Sequence, residues 1–296
     1  MKRLDAPTCS VSDLFNECVQ GILDPSLRVR FTEQKGLVEA SNTNYAAHSQ
    51  NQTWCLLPRA KYDHPNQIIV GDLTKSELVE LYEKGMVGSK GAARRKYDQI
   101  KLLARDECPY CGGCGEFVDE EGIGTLDHFL PKARFPAFSI LPANLVPACA
   151  TCNTGMGSNF STEPNLQPLH PYFDGAHFFD EKWTTVTVIE ELPVMVNFDV
   201  NAPPHWTEKD RQRVSHHFKC CRLRGRYRAK VASDLSTLID QRRIVHRKLT
   251  SDAFREILRV VADNVALPIN GWKRTLHHGL AESEWFCRHD FAAQVR

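Results

Sequence analysis

Nowhere along the chain do apolar residues run long enough to cross a bilayer. Its first residues, Met1-Lys2-Arg3-Leu4-Asp5-Ala6-Pro7, lead to Asp13 and Glu17 without the apolar centre of a secretory signal. The expectation is a cytoplasmic protein with no membrane partner. Net charge is also nearly missing, since 37 Lys and Arg meet 36 Asp and Glu. Internal repeats and low-complexity tracts are absent, which excludes fibrous and disordered classes. What remains is ordinary globular composition: 296 residues, 42% hydrophobic and 25% charged, enough for one large domain or two small ones.

Cysteine is not scarce. There are 11, an odd number, in a long chain without an export signal. In a reducing compartment clustered cysteines serve as metal ligands more often than as disulfides. Cys108, Cys111, Cys114, Cys149 and Cys152 cluster, whereas the others read as small buried apolar residues. The balanced charge is also uneven. Between Lys209 and Lys248 there are thirteen Lys or Arg against three Asp or Glu, which leaves the remainder acidic. Such a stretch can neutralise phosphates, although a solvated helix face is the simpler reading of a charge run alone.

Residues 1 to about 70 carry little pattern, and Ser41-Asn42-Thr43-Asn44 and Ser49-Gln50-Asn51-Gln52 read as loops. Thr74 and Glu77 have capping-box spacing before Leu78, Leu81 and Tyr82. A second helix is predicted over 92–105, with Arg94, Arg95, Lys96 and Lys101 on one side and Ile100, Leu102 and Leu103 towards a core. Residues 183–200 alternate as two strands broken at Leu192-Pro193. Helices follow from Thr207, over about 226–247, after Ser251 and over 272–286. The predicted fold is mainly α with a small irregular β insert near the centre and a short β-hairpin.

Cys108-Pro109-Tyr110-Cys111 and Cys149-Ala150-Thr151-Cys152 are two CxxC pairs, with thirty-seven residues between the inner cysteines. Two such pairs complete a tetrahedral four-thiolate set for a structural Zn²⁺. Gly112, Gly113 and Gly115 allow the tight turn after the first pair. Cys111 and Cys114 form a rival CxxC, so a ligand role for Cys114 stays open.

Between the pairs lie Thr125-Leu126-Asp127-His128-Phe129-Leu130-Pro131-Lys132 and Asn144-Leu145-Val146-Pro147, and Asn153 follows Cys152 directly. A metal-dependent phosphodiesterase needs a base near neutrality and oxygen ligands for a divalent ion. His128 suits the base, and Asp127 and Asn153 suit the ligands. Adjacent strand residues point to opposite faces, so Asp127 and His128 share a site only where the strand bends or ends. Singly each residue has a blander reading as a hydrogen-bonded pair or a helix cap. The ordered set inside a cysteine frame is more specific.

Residues 108–157 resemble the ββα-metal HNH nuclease motif, in the form CxxC, DH, N, CxxCN. That resemblance implies His128 as general base, Asp127 and Asn153 as ligands of Mg²⁺ or Mn²⁺, and Asn144 bracing the loop that carries His128. It assigns 91–180 to a zinc-stabilised HNH module, with a partly helical region at 1–90 and a β-hairpin plus basic helices at 181–296. Residues 126–132, Phe135-Pro136 and 144–149 are similar to PtuB-type nucleases of Septu phage-defence systems. His170-Pro171-Tyr172-Phe173-Asp174 and the closing Gly271-Trp272-Lys273 and Glu284-Trp285-Phe286 add to that likeness. The family implies an ABC-type ATPase partner (PtuA-like), an antiviral role and, in related pairs, association with a retron RNA–DNA complex. One departure is Asn153-Thr154-Gly155-Met156-Gly157, which lacks the Lys usual after the final Asn. Lys132 or the basic stretch with Arg222, Arg224, Arg226 and Arg228 is the expected substitute for gripping phosphate.

Tyr227 and Phe218, amid those arginines, read as candidates for stacking on bases. His217 and Cys221, one helical turn apart, form a possible metal pair but read more simply as core or surface residues. The leading expectation is a nuclease, with DNA favoured over RNA as substrate. The alternative is a zinc-stabilised nucleic-acid-binding or interaction subunit without turnover.

Overall fold

The computed structural model describes residues 1–292 except 106, 114–117, 120–121 and 159. Cys114 therefore lies outside the described residues. The protein is mainly helical with small antiparallel sheets, and its chain divides into two compact units. One comprises Arg3–Tyr110 and Cys114–Asp174. The other comprises Gly175–Arg296 with Met1–Lys2 and Cys111–Gly113.

The first unit opens with α1 (Val11–Gln20), capped by the Ser10 hydroxyl, and α2 (Pro25–Asn51), capped by the Asp24 carboxylate with Pro25 in its first turn. α2 runs through both segments expected to be loops. Leu27, Phe31, Val38, Tyr45 and Ser49 form its buried seam at intervals of four and seven. The polar residues are accommodated because Ser41, Thr43, Ser49 and Asn51 each donate to the carbonyl four residues back. Gln52, at φ +53°, stops the helix.

β1 (Ile68–Val70) and β2 (Leu73–Thr74) pair before α3 (Lys75–Glu80), whose Thr74–Glu77 capping box is formed. α3 widens into a π turn over Leu81–Val87. There Gly85 lies against α1 so closely that a Cβ would stand 2.5 Å from the Cys18 carbonyl oxygen. α4 (Ala92–Leu102) buries Ala93, Tyr97, Ile100 and Lys101. The predicted face was thus misplaced by one residue: Lys101 is inside and Leu102 is 51% exposed.

After β3 (Val118–Asp119) and β4 (Gly122–Ile123) comes the pair that positions the site. β5 (Thr125–His128) runs antiparallel to β6 (Leu145–Ala148), with Asp127 opposite Val146 and His128 opposite Leu145. α5 (Ala150–Met156) follows directly and ends at Gly157. Leu126 and Leu145 enter the same core as Phe15, Phe31, Leu78, Leu81 and Ile100. Burying each of these leucines contributes about 1.5–3 kcal/mol, which ties the two strands to the helices behind them.

In the second unit, after the single turn α6 (His177–Asp180), β7 (Thr184–Ile189) and β8 (Met195–Val200) form the expected hairpin. α7 (Glu208–Cys220), capped by Thr207, α8 (Leu223–Asp240) and α9 (Ser251–Ala262) follow. The predicted last helix is two, α10 (Trp272–Glu282) and α11 (Glu284–Arg288), because the Ser283 hydroxyl caps the latter and breaks the former. Asn270 joins the hairpin to the turn before it: its Oδ1 accepts from Trp183 N at 2.8 Å, and its Nδ2 donates to Glu181 O at 2.8 Å. Among the described residues no helix is long and apolar enough to cross a membrane.

Candidate functional site

Two features lie around β5, β6 and α5. The first is the cysteine cluster. The Sγ atoms of Cys108, Cys111, Cys149 and Cys152 all lie within 4.8 Å of one another, and all four residues are buried. Backbone amides turn towards two of the sulfurs, Cys149 N to Cys108 Sγ at 3.4 Å and Gly113 N to Cys111 Sγ at 3.3 Å. Such N–H donors favour thiolate over thiol. Gly112 makes the intervening turn at φ +56°, a conformation that a side chain would strain. Four buried sulfurs at this spacing fit a tetrahedral soft cation, and the cluster could hold a metal ion such as zinc.

The second feature is a groove of about 490 Å³ lined by Tyr82, Tyr97, Thr125, Asp127, His128 and Asn153, with Glu83 and Lys132 at its rim. β5 ends at His128, so the alternation that would send Asp127 and His128 to opposite faces is no longer enforced. The chain then departs as a loop over 129–144. Phe129 N donates to Asn144 O, and Asn144, fully buried, closes the loop. Its Oδ1 accepts from Leu130 N at 2.8 Å, and its Nδ2 donates to the carbonyls of Leu130 and Phe138 at 3.1 Å.

The His128 ring is fixed from two sides. Nε2 lies 2.8 Å from the Ser139 carbonyl oxygen, and Tyr82 packs edge-on with ring centres 4.4 Å apart. A carbonyl only accepts, so Nε2 carries the proton and the neutral ring keeps its lone pair on Nδ1. Burial draws the imidazole pKa down to about 4, opposed by the Ser139 carbonyl and helped by the Lys132 charge. The ring is therefore uncharged at neutral pH, with the Nδ1 lone pair as its acceptor.

Asp127 is 5% exposed. Burial pushes its carboxyl up to about 7, against the Tyr110 hydroxyl, which donates to Oδ2 at 3.1 Å. A carboxylate so incompletely compensated is a favourable ligand for a cation, which would return it to the ionised form. Asn153, on α5, donates from Nδ2 to Thr125 Oγ1 at 2.7 Å. That bond orients the amide and leaves Oδ1 available as an acceptor. Lys132 Nζ binds Glu83 Oε1 at 2.6 Å and stands 5.0 Å over the Tyr82 ring.

Asp127, His128, Asn144, Asn153 and Lys132 thus all belong to one groove and its supporting loop. The arginines belong to the other unit. Arg222 and Arg228 are exposed there, Arg226 is half-buried, and Arg224 donates to Phe198 O and pairs with Asp199 at 2.6 Å. The stacking expectation fails: Tyr227 is 1% and Phe218 4% exposed, and the Tyr227 hydroxyl lies 2.8 Å from Asn270 O and 3.0 Å from Cys111 O. Both rings are core residues.

Sequence reasoning passed over Tyr110, Thr125, Tyr82 and Ser139. For Thr125 a signal existed, since it stands two residues before Asp127 on the same strand face. Tyr110 lies inside the first CxxC, where it reads only as turn filling. Tyr82 and the Ser139 carbonyl reach the site through tertiary packing and left no local trace.

No protein-family model matches the chain, and no solved structure matches it. Among characterised proteins it is similar to protein ea31 of Escherichia phage lambda, with 31% identity over 301 residues that cover 97% of this chain and 99% of the phage protein. Similarity running the whole length of both chains defines a common family, and the chain belongs to the family of the phage lambda protein ea31.

Proposed function

We propose that the chain is a metal-dependent HNH nuclease that hydrolyses phosphodiester bonds of nucleic acid, with the groove as its active site. The observation that carries the reading is the tautomer of His128: a ring made neutral by burial, its Nε2–H spent on a fixed carbonyl, beside an under-compensated carboxylate. In this reading β5, β6 and α5 are a ββα-metal module. Asp127 and the Asn153 amide oxygen would hold Mg²⁺ or Mn²⁺, and Cys108, Cys111, Cys149 and Cys152 would hold the structural Zn²⁺. Two hard oxygens suit the former ion and four thiolates the latter. When bound, the divalent ion supplies charge stabilisation for the scissile phosphate and its leaving oxygen.

The chain's own residues do the rest. His128 Nδ1 takes the proton from the attacking water, and Ser139 O stabilises the imidazolium that results. Asn144 holds the loop, and therefore Ser139, in register with β5. Lys132, tethered to Glu83, and the arginines of α8 offer cations to the phosphate backbone, DNA being favoured over RNA. By its PtuB likeness the enzyme would work beside an ABC-type ATPase as the effector of an antiphage system. A gated effector is expected to be weakly active alone.

The test compares Mg²⁺- and Mn²⁺-dependent cleavage of double-stranded DNA, single-stranded DNA and total RNA by wild type and His128→Ala, with and without an ABC-type ATPase of the kind the PtuB likeness implies. The expected result is a loss of roughly 10²–10⁴-fold in the variant. Cleavage by neither protein, with the ATPase present, would replace the reading with a zinc-stabilised binding subunit that has no turnover.

A further inference from the structure

α7 ends in a second group of soft ligands, which the groove does not use. His217, Cys220 and Cys221 place a ring nitrogen and two Sγ atoms within 4.8 Å of one another. They occupy positions i, i+3 and i+4 of the last helical turn, the spacing that puts three side chains on one face. His217 and Cys221 are each 1% exposed, and Cys220 is half-buried. The His217 Nε2 to Cys221 Sγ separation is 3.7 Å. Two atoms bound to one tetrahedral zinc, at about 2.0–2.1 Å for nitrogen and about 2.3 Å for sulfur, stand nearly that far apart.

We infer that His217, Cys220 and Cys221 form a second metal site, selective for a thiophilic cation such as Zn²⁺, with one coordination position left for an exogenous ligand. Two arguments favour a cation here over a set of inert thiols. The helix ends at this turn, and its negative pole favours positive charge. An S₂N donor set discriminates against the hard Mg²⁺ expected in the groove. At present Cys220 Sγ is 3.4 Å from the His217 carbonyl oxygen, a contact that a metal–thiolate bond would replace. The partial exposure of Cys220 gives the ion a route in and makes this site the more exchangeable of the two cysteine clusters.

The experiment uses the full-length protein, dialysed exhaustively against trace Zn²⁺, with metal content read by elemental mass spectrometry. The Cys220→Ser/Cys221→Ser variant is expected to hold one equivalent fewer than wild type. A Cys149→Ser protein, if it folds, is expected to keep that equivalent, so the two clusters are scored separately. A readout on the unmodified protein covers the case in which a variant misfolds. Alkylation of Cys220, followed by peptide mass spectrometry, should slow about tenfold or more when Zn²⁺ is added to chelator-treated protein. Equal metal content in variant and wild type, or a Cys220 alkylation rate indifferent to Zn²⁺, would overturn the site.

Discussion

Asp127 in the groove and Arg224 at the head of α8 are both charged residues singled out from sequence, and the structure treats them in opposite ways. Asp127 is buried, and its carboxyl is pushed up to about 7 because burial outweighs the Tyr110 hydroxyl. Arg224 is exposed and is matched by a carboxylate and a carbonyl. One region keeps an electrostatic deficit that a ligand can fill, whereas the other has answered part of its charge locally. A run of arginines is therefore weaker evidence of chemistry than a single carboxylate held out of water among neutral groups.

The largest effect that would break this contrast is expected at Asn144. Replacing it with Ala leaves Leu130 N, Leu130 O and Phe138 O without their buried partner. Each such group costs about 1–3 kcal/mol, so the melting temperature should fall by roughly 5–15 °C. Asn144→Asp should be worse, since it turns a carboxylate towards two carbonyl oxygens in place of the donating amide. Thermal melts of the three proteins check the order, and an Asp variant as stable as wild type would show that the loop is not held by this network.

A smaller effect sharpens the reading of the groove. His128, drawn down to about 4, stays neutral across the working range and sets no acid limb near 6.5. Asp127, raised to about 7 without metal, must lose its proton to take a cation. Proton and cation compete there, so activity falls as pH drops through the Asp127 titration. Each tenfold rise in Mg²⁺ should move that limb to lower pH by up to about one unit. A limb near 6.5 that ignores Mg²⁺ in a pH–rate profile would mean that His128 titrates like an exposed imidazole.

The parts legible in sequence are those where local rules and tertiary structure agree. The Thr74–Glu77 box, the alternating strands of 184–200 and the paired CxxC motifs are specified within a few residues, and each appears in place. α2 was illegible because its apolar positions are sparse and its Ser, Thr and Asn residues read as loop formers, although their side chains return to the helix's own carbonyls. Lys101 and Leu102 exchanged expected roles because a charge run marks a solvent face only when packing leaves it free. At the groove the residues singled out from sequence, Asp127, His128 and Asn153, come to line one space, but Tyr82 and the Ser139 carbonyl that fix the His128 ring were not legible, since neither contact has a signature short of the folded chain.

The smallest effect returns to the arginines. Arg224 is already paired with Asp199, whereas Arg228 is exposed and in no ion pair among the described residues. If this face grips phosphate, Arg228→Ala should lower the salt dependence of nucleic-acid binding by close to one phosphate contact, a slope change of about 0.9 in a plot of log affinity against log salt. Arg224→Ala should change that slope less, because its guanidinium is already committed to the Asp199 carboxylate and the Phe198 carbonyl rather than to phosphate. Its effect on stability should stay within about 1 kcal/mol, the usual range for an exposed pair. Asp199→Asn then separates pairing from position. Freed of its carboxylate, Arg224 should steepen the salt slope towards that of an uncommitted cation. Equal slopes in all three variants would mean that the charge run is a solvated helix face, and would leave Lys132 as the cation nearest the chemistry.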